Sequence, residues 1–150
     1  MLEEDTTDYP DPTGYADFDD LMKAVYAHGD EWRASSGPVA LPLNPYRLFA
    51  PQRYHGGALV LYALRQKVGQ AAFARIEKAY PARFRDGNAN TDDFIALAAQ
   101  VSGRADVVPF LRDWLYGTKT PPMPGHPDWT VNAPATQRAL TAPARPRERK

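Results

Sequence analysis

Residues 52–68 read QRYHGGALVLYALRQKV, and this stretch decides the fold. It predicts a helix whose apolar side chains cover much of the circumference, so we expect that helix to be deeply buried. Pro51 suits the first turn, because the N–H that proline lacks would have no partner there. Gly69 is a typical stop signal just after the helix. Tyr54 stands near the beginning, ahead of two glycines.

Four further helices are predicted around this one, because apolar residues recur at helical spacing. They cover residues 17–28, 70–84, 91–102 and 106–116. Thr91 is the expected N-cap of the fourth, and Pro81 should kink or end the third. The sequence shows no sustained period-two alternation, and the last loops are short. We therefore predict an all-α fold of about five helices packed as antiparallel helix pairs.

The remaining segments are rich in proline or charge. Residues 34–51 form a long Pro-rich connector, a kind of segment that often lines functional surfaces. Residues 1–16 read as a flexible acidic arm, and residues 131–150 as a disordered basic Pro-rich tail. A single helical domain is expected over residues 17–130, with Met123 and Trp129 packing back on the helices.

Composition excludes several classes of function. The 150 residues carry 18 basic and 18 acidic side chains, so no net field favours nucleic acid. There is no cysteine for a disulfide or a thiolate site. No apolar stretch approaches the ~20 residues that span a bilayer, and the acidic start is unlike a signal peptide. We expect a cytoplasmic protein with no membrane partner.

The residue types that carry hydrolytic chemistry are sparse. The His-Glu-x-x-His zinc motif is absent, and no two of the three histidines share a helix face. We therefore predict no metal site in this chain, although a site assembled by folding from His28, His55 and His126 stays open. The serines are assigned to loop and cap roles: Ser35, Ser36 and Ser102.

Structural roles also account for most of the other notable residues. The tryptophans are expected to be packing anchors: Trp32, Trp114 and Trp129. Acidic pairs at helix starts complement the helix dipole: Asp19-Asp20 and Asp92-Asp93. Close helix packing is the expected reason for the pair Gly56-Gly57.

Tyr54 has two interpretations on its chemistry alone. It can be a tyrosine half-buried beside the 34–51 connector. Alternatively, its phenolic O–H can donate to a developing oxyanion, the electrophilic role of preorganised donors in acyl transfer.

Four short motifs follow one another along the chain. They are Tyr54-His55-Gly56-Gly57-Ala58 with the apolar run 59–64, Gly69-Gln70-Ala71-Ala72-Phe73, the turn and helix start 87–94, and Phe110-Leu111-Arg112-Asp113-Trp114-Leu115. In this order and spacing they resemble the C-terminal part of the catalytic region of M1-family zinc metallopeptidases, gluzincins of the aminopeptidase N kind. The resemblance covers about residues 20 to 125.

This resemblance implies metal-dependent peptide hydrolysis in the parent family. There, a zinc ion held by His-Glu-x-x-His and a more distant glutamate activates water, and the tyrosine corresponding to Tyr54 donates to the oxyanion. Nothing before Tyr54 supplies those ligands, and the N-terminal exopeptidase motif is also missing. His55 and Gly56 stand where the family often carries a charged pair.

Two functions follow as alternatives. The first is a fragment or truncated member of the M1 aminopeptidase family, inactive alone, whose partner would be a zinc-bearing M1-like catalytic half. The second is a non-catalytic helical module that binds a protein or peptide beside Tyr54. Zinc belongs to the parent family, and no cofactor is expected in this chain itself.

Overall fold

The structure is a computed structural model that describes residues 14–132. Residues 1–13 of the predicted acidic arm and residues 133–150 of the predicted basic tail lie outside the described residues. Within 14–132 there are six α-helices and no strand, which confirms the all-α prediction. They are α1 (Phe18–Ala27), α2 (Gly29–Ser36), α3 (Gly57–Val68), α4 (Gln70–Arg83), α5 (Thr91–Ser102) and α6 (Val107–Tyr116).

Two short helical turns interrupt the connector between α2 and α3. Pro45–Arg47 is a 3-10 turn, and the side chain of Asn44 accepts a hydrogen bond from the N–H of Tyr46 at its start. Gln52–Gly56 is a π-helical turn that runs directly into α3. The predicted helix over 52–68 is therefore present, with its first five residues wound more widely than an α-helix.

The sequence predicted five of the six α-helices but not α2. Gly29 was expected to end the first helix, but it begins α2 instead. A side chain at Gly29 would collide with the hydroxyl of Thr120, so the glycine serves close approach rather than termination. Because α2 extends to Ser36, the connector starts at Gly37, and the loop role predicted for Ser35 and Ser36 is wrong.

The predicted N-cap of the helix over residues 91–102, which is α5 in the structure, was also wrong by one residue. Asn90 has extended backbone angles and accepts a hydrogen bond from the N–H of Asp93 at 2.9 Å. The side chain of Asp93 accepts in return from the N–H of Asn90 at 3.0 Å, which completes a capping box. Thr91 is already the first helical residue. Pro81 does not end its helix as one alternative predicted, because α4 continues through it to Arg83.

The core lies where α3 meets α1, α4 and α6, and α5 packs against α4 and α6. Its largest fully buried apolar side chains come from five helices: Met22, Val25, Leu64, Ile76, Ile95, Val107, Leu111 and Trp114. All three tryptophans are buried, as predicted. None of the helices within residues 14–132 is long and apolar enough to cross a bilayer.

A return segment after α6, residues 117–132, has no helix of its own but completes the core. Met123 and Trp129 are 4% and 8% exposed, which confirms that they pack back on the helices. The ring of Trp129 stacks on Tyr62 with centroids 5.7 Å apart. The N–H of Asn132 donates to the carbonyl of Ala27 at the end of α1, over 2.7 Å.

Candidate functional site

Tyr54 lies on the π-helical turn Gln52–Gly56 and is 56% exposed. A tyrosine half-buried beside the connector has a similar exposure, so this value fits both interpretations of Tyr54. The phenol is therefore accessible to a molecule that approaches this face of the chain.

The connector that precedes Tyr54 is unusually apolar on its outside. Its large exposed hydrophobic side chains are Leu41, Leu43, Tyr46, Leu48 and Phe49. Tyr46 is 92% exposed and Phe49 75% exposed. We call these five side chains the connector face. Five large apolar side chains exposed within nine residues of one segment favour a surface that contacts another polypeptide.

The π-helical turn is packed against the beginning of the connector. Gln52 is 2% exposed, and its Nε2 donates to the carbonyl of Gly37 at 3.4 Å. A side chain at Gly56 would collide with Oε1 of Gln52, whereas one at Gly57 would meet nothing within 4 Å. Gly56 therefore makes room for a side chain of its own turn rather than for a second helix, and close packing does not explain Gly57.

Arg53, which the sequence analysis did not single out, joins the same two segments. Its guanidinium donates to the carbonyls of Ser36, Pro38, Val39 and Arg47. Burial lowers the pKa of Arg53 from its ordinary value. A cation in the first turn of a helix opposes the helix dipole. That unfavourable position was the one sequence signal that could have drawn attention to it.

Two of the three histidines contact the same buried indole. The ring of His28 stacks on Trp32 with centroids 5.2 Å apart, and the ring of His55 lies 6.1 Å from Trp32. Nδ1 of His28 is 3.4 Å from Oε2 of Glu31. Burial lowers the pKa of His55, which favours its neutral form.

The third histidine belongs to a different cluster. Nε2 of His126 is 2.9 Å from the hydroxyl of Tyr62, which donates to Oδ1 of Asp19 at 3.0 Å. Trp129 stacks on the His126 ring with centroids 4.2 Å apart. Burial, and then the hydrogen bond to Asp19, raises the pKa of Tyr62 to about 12. Asp19 thus has a tertiary partner, Tyr62, besides the helix dipole that its sequence position indicates.

The described residues do not fit a zinc ion. Among residues 14–132, no group of three or more histidine, aspartate or glutamate side chains is arranged to hold a metal. His126 contacts Tyr62 and Trp129 rather than Trp32, so the three histidines do not form one site. The hydroxyl of Ser102 is bonded to the carbonyl of Ala98 at 2.6 Å, in keeping with its predicted place at a helix end.

An apolar groove runs over α3, α4 and α5. It is lined by Leu61, Phe73, Ile76, Glu77, Tyr80 and Phe94. None of these residues belongs to the connector or to the π-helical turn. The groove is therefore not built from the segments that carry Tyr54.

Comparison with solved structures places this arrangement among known proteins. The chain is similar to an M1 zinc metallopeptidase from Deinococcus radiodurans, in a variant bound to a Tyr-Ser-Ala substrate, with 32% identity and a TM-score of 0.53 over 70% of this chain. A second structure of an M1 zinc metallopeptidase from that organism has 30% identity and a TM-score of 0.48 over 70% of this chain. The matches cover 24% and 28% of those chains, so this chain spans about a quarter of their length.

No family model matches the chain, and no curated protein sequence matches it. The structural match nevertheless confirms the resemblance that the four sequence motifs indicated.

Proposed function

We propose that this chain, a relative of the M1 zinc metallopeptidases, supplies the tyrosine-bearing part of an M1-type peptidase active site. The observation that carries the proposal is the exposed phenol of Tyr54, 56% accessible, directly after an exposed apolar connector. Tyr54 begins the motif that resembles the family's tyrosine and small-residue helix, and the connector precedes it.

In this function Tyr54 donates its phenolic O–H to the oxyanion that forms when the peptide carbonyl is attacked. A donor that is already in place stabilises developing charge without reorganising at the moment of reaction. The π-helical turn supports that preorganisation, because Gln52 and Arg53, the two residues before Tyr54, donate hydrogen bonds to carbonyls of residues 36–38.

Zinc, when bound, supplies the Lewis acidity of this reaction. Residues 14–132 do not hold it, so we assign the ion to polypeptide outside these residues. We further propose that this zinc-bearing part docks on the connector face. An interface there would cover Leu41, Leu43 and Phe49, which are otherwise exposed to water. A cytoplasmic location and an aminopeptidase specificity are part of the same proposal.

A chimera tests the proposal directly. The segment of the Deinococcus radiodurans M1 zinc metallopeptidase that matches this chain is replaced by residues 14–132. Hydrolysis of Tyr-Ser-Ala, the peptide bound to that relative, is then measured together with bound zinc and the circular dichroism spectrum. We expect a folded, zinc-loaded chimera that cleaves the peptide. Tyr54→Phe should lower its kcat by about 10²–10³-fold, as the loss of one oxyanion donor does.

Tyr46→Phe is the matched control, because Tyr46 is an exposed tyrosine of the same region. Its chimera should keep kcat within about twofold, since it loses no oxyanion donor. A Tyr54→Phe chimera as active as the unsubstituted one would contradict the role of the phenol.

The chain by itself provides a second test. We expect purified chain to contain no stoichiometric zinc and to release no amino acid from aminoacyl-arylamide substrates. Turnover that a chelator abolishes would overturn the assignment of the zinc site to other polypeptide. The alternative function, a helical module that binds peptide without catalysis, predicts instead a folded and zinc-loaded chimera with no hydrolysis.

A further inference from the structure

We propose that Arg53 is a positioning residue that fixes Tyr54 relative to the connector face. Its catalytic consequence rests on the proposed function, but its structural consequence does not. Nη2 of Arg53 donates to Ser36 O at 2.6 Å, and Nη1 donates to Pro38 O at 2.6 Å and also to Val39 O. Nε lies 3.4 Å from Arg47 O, near the other end of the connector.

These four carbonyls lie at the end of α2 and in the connector, where Ser36 O, Pro38 O and Arg47 O each accept a backbone N–H across a turn or loop. Arg53 is a further donor to each of them. Ser36 ends α2, where carbonyls lose their intrahelical partners. Gly37 then turns the chain with a φ of +86°, a backbone conformation that residues other than glycine rarely adopt. The guanidinium of Arg53 donates hydrogen bonds to the carbonyls of Ser36, Pro38 and Val39 around this turn. Charged donors form stronger hydrogen bonds than neutral ones.

Residues 36–43, which we call the arc, are held by Arg53 through the carbonyls of Ser36, Pro38 and Val39, and they contain two side chains of the connector face. Leu41 and Leu43 are 59% and 62% exposed. Their backbone N–H groups donate to Pro38 O and Ser36 O, two of the carbonyls that Arg53 also binds. The guanidinium therefore holds the backbone beneath these two leucines.

Arg53 is also the residue immediately before Tyr54, so one side chain ties the phenol's own backbone to the arc. If the connector face receives the zinc-bearing part, Arg53 sets the distance between that part and the phenol. Errors of about 1 Å in such positioning can cost 10²-fold in rate. Substitutions at Arg53 should therefore reduce catalysis without Arg53 touching the substrate.

The geometry requires an arginine and not simply a cation. A guanidinium presents five N–H donors in a planar fork, whereas the ammonium of lysine is a compact point charge. Arg53→Lys keeps the charge but lacks the two terminal nitrogens that bind Ser36 O and Pro38 O at the same time. Arg53→Met removes the charge and keeps much of the apolar stem.

Hydrogen exchange on the full chain tests the structural consequence. We expect the amides of Leu41 and Leu43 to exchange at least about tenfold faster in Arg53→Lys and Arg53→Met than in the unsubstituted chain. Amides of α5 and α6, such as those of Ile95 and Leu111, should change by less than about twofold. Arg47→Lys and Arg47→Met are matched controls, because the Arg47 side chain is exposed on the same connector.

Three outcomes of this experiment would overturn the inference. Unchanged exchange at Leu41 and Leu43 would mean that Arg53 does not hold the arc. Faster exchange throughout α5 and α6 would mean a general role in stability. Wild-type behaviour of Arg53→Lys would mean that the charge suffices and the fork does not matter.

The chimera tests the catalytic consequence separately. Arg53→Lys should lower kcat for Tyr-Ser-Ala about tenfold or more and leave KM within about twofold, because the phenol acts in the transition state. A rise in KM with unchanged kcat would assign Arg53 to substrate binding and overturn its role as a positioning residue. If Tyr54→Phe itself leaves kcat unchanged, the proposed function fails, while hydrogen exchange still decides whether Arg53 holds the connector.

Discussion

The hydroxyl of Tyr62 on α3 donates a hydrogen bond to Oδ1 of Asp19 on α1 over 3.0 Å, between residues 43 positions apart. The hydroxyl oxygen of Tyr62 also lies 2.9 Å from Nε2 of His126 in the return segment. One side chain therefore connects the first helix, the central helix and the segment that closes the core. The hydroxyl of Tyr62 has a single proton and donates it in the hydrogen bond to Asp19. In the contact with His126 the hydroxyl oxygen is therefore the acceptor and Nε2–H of the imidazole is the donor.

Tyr62 makes the stability of the chain depend on alkaline pH. Its pKa is about 12 in the folded chain and near the ordinary 10.0 in the unfolded chain. The stability that this raised pKa gives is complete below about pH 10 and is lost as the pH rises toward 12, because the unfolded chain releases the proton first. Urea unfolding at a series of pH values should show a steeper loss for the wild type than for Tyr62→Phe.

Tyr62→Phe at neutral pH should reduce the free energy of unfolding by about 1 kcal/mol, because the hydroxyl loses its hydrogen bonds while the ring can still stack on Trp129. Tyr46 is 92% exposed. Tyr46→Phe should therefore change neither the free energy of unfolding at neutral pH nor its decline at alkaline pH. Parallel pH profiles of the wild type and Tyr62→Phe would contradict the link to this proton.

Arg33 supports the end of α6. The side chain is 5% exposed, and it donates from Nη1 to Gly117 O at 2.7 Å and from Nη2 to Trp114 O at 2.8 Å. Arg33→Met should reduce the free energy of unfolding by about 2–3 kcal/mol, since the buried carbonyl of Trp114 and the partly buried carbonyl of Gly117 lose charged donors. Arg112→Met is the control in chemical denaturation: Arg112 is half exposed and pairs with Asp92 at 3.1 Å, so its loss should cost at most about 0.5 kcal/mol. Equal effects of the two substitutions would refute the special role of Arg33.

The neighbouring glycines Gly56 and Gly57 should respond in opposite directions to alanine. A methyl group at Gly56 collides with the buried amide of Gln52 and displaces its bond to Gly37, so Gly56→Ala should destabilise by about 1–3 kcal/mol. Gly57 has helical angles and open space around its Cα. Gly57→Ala should stabilise by about 0.5–1 kcal/mol, because alanine loses less backbone entropy in a helix. Thermal unfolding of the two variants distinguishes these signs, and stabilisation by Gly56→Ala would contradict the observed packing.

The N-terminus of α5 tests which residue caps the helix. Asn90 accepts from the N–H of Asp93 and completes a capping box. Asn90→Ala should therefore reduce the free energy of unfolding by about 1 kcal/mol. Thr91→Ala, one residue later and already helical, should stay within about 0.5 kcal/mol of the wild type. The reverse order of the two effects in urea denaturation would restore Thr91 as the cap.

The parts of the fold that depend on local patterns were predictable from the sequence. The apolar circumference of α3 and the glycines that follow it and α5 are signals contained within a few neighbouring residues. α2 was missed because it has eight residues, two of them serines, and no apolar stripe. Its burial depends on Trp32, which contacts His55, and on Arg33, which binds the carbonyls of Trp114 and Gly117. These partners are distant in sequence.

The candidate site was predictable in the same uneven way. Tyr54 was found because a motif of adjacent residues marks it. Arg53 was not found because its partners are backbone carbonyls, which every residue type possesses and which therefore leave no mark in the sequence. The bond between Tyr62 and Asp19 was likewise invisible, since it joins two helices whose pairing no periodicity specifies.

The return segment 117–132 has a practical consequence for anyone who shortens or transplants this domain. A boundary chosen at the last helix, after Tyr116, would remove Met123 and Trp129 and would leave the rings of Tyr26 and Tyr62 facing water. The packed domain is therefore longer than the set of its helices. Junctions belong beyond Asn132, even though the last sixteen residues retained by that choice contain no regular structure at all.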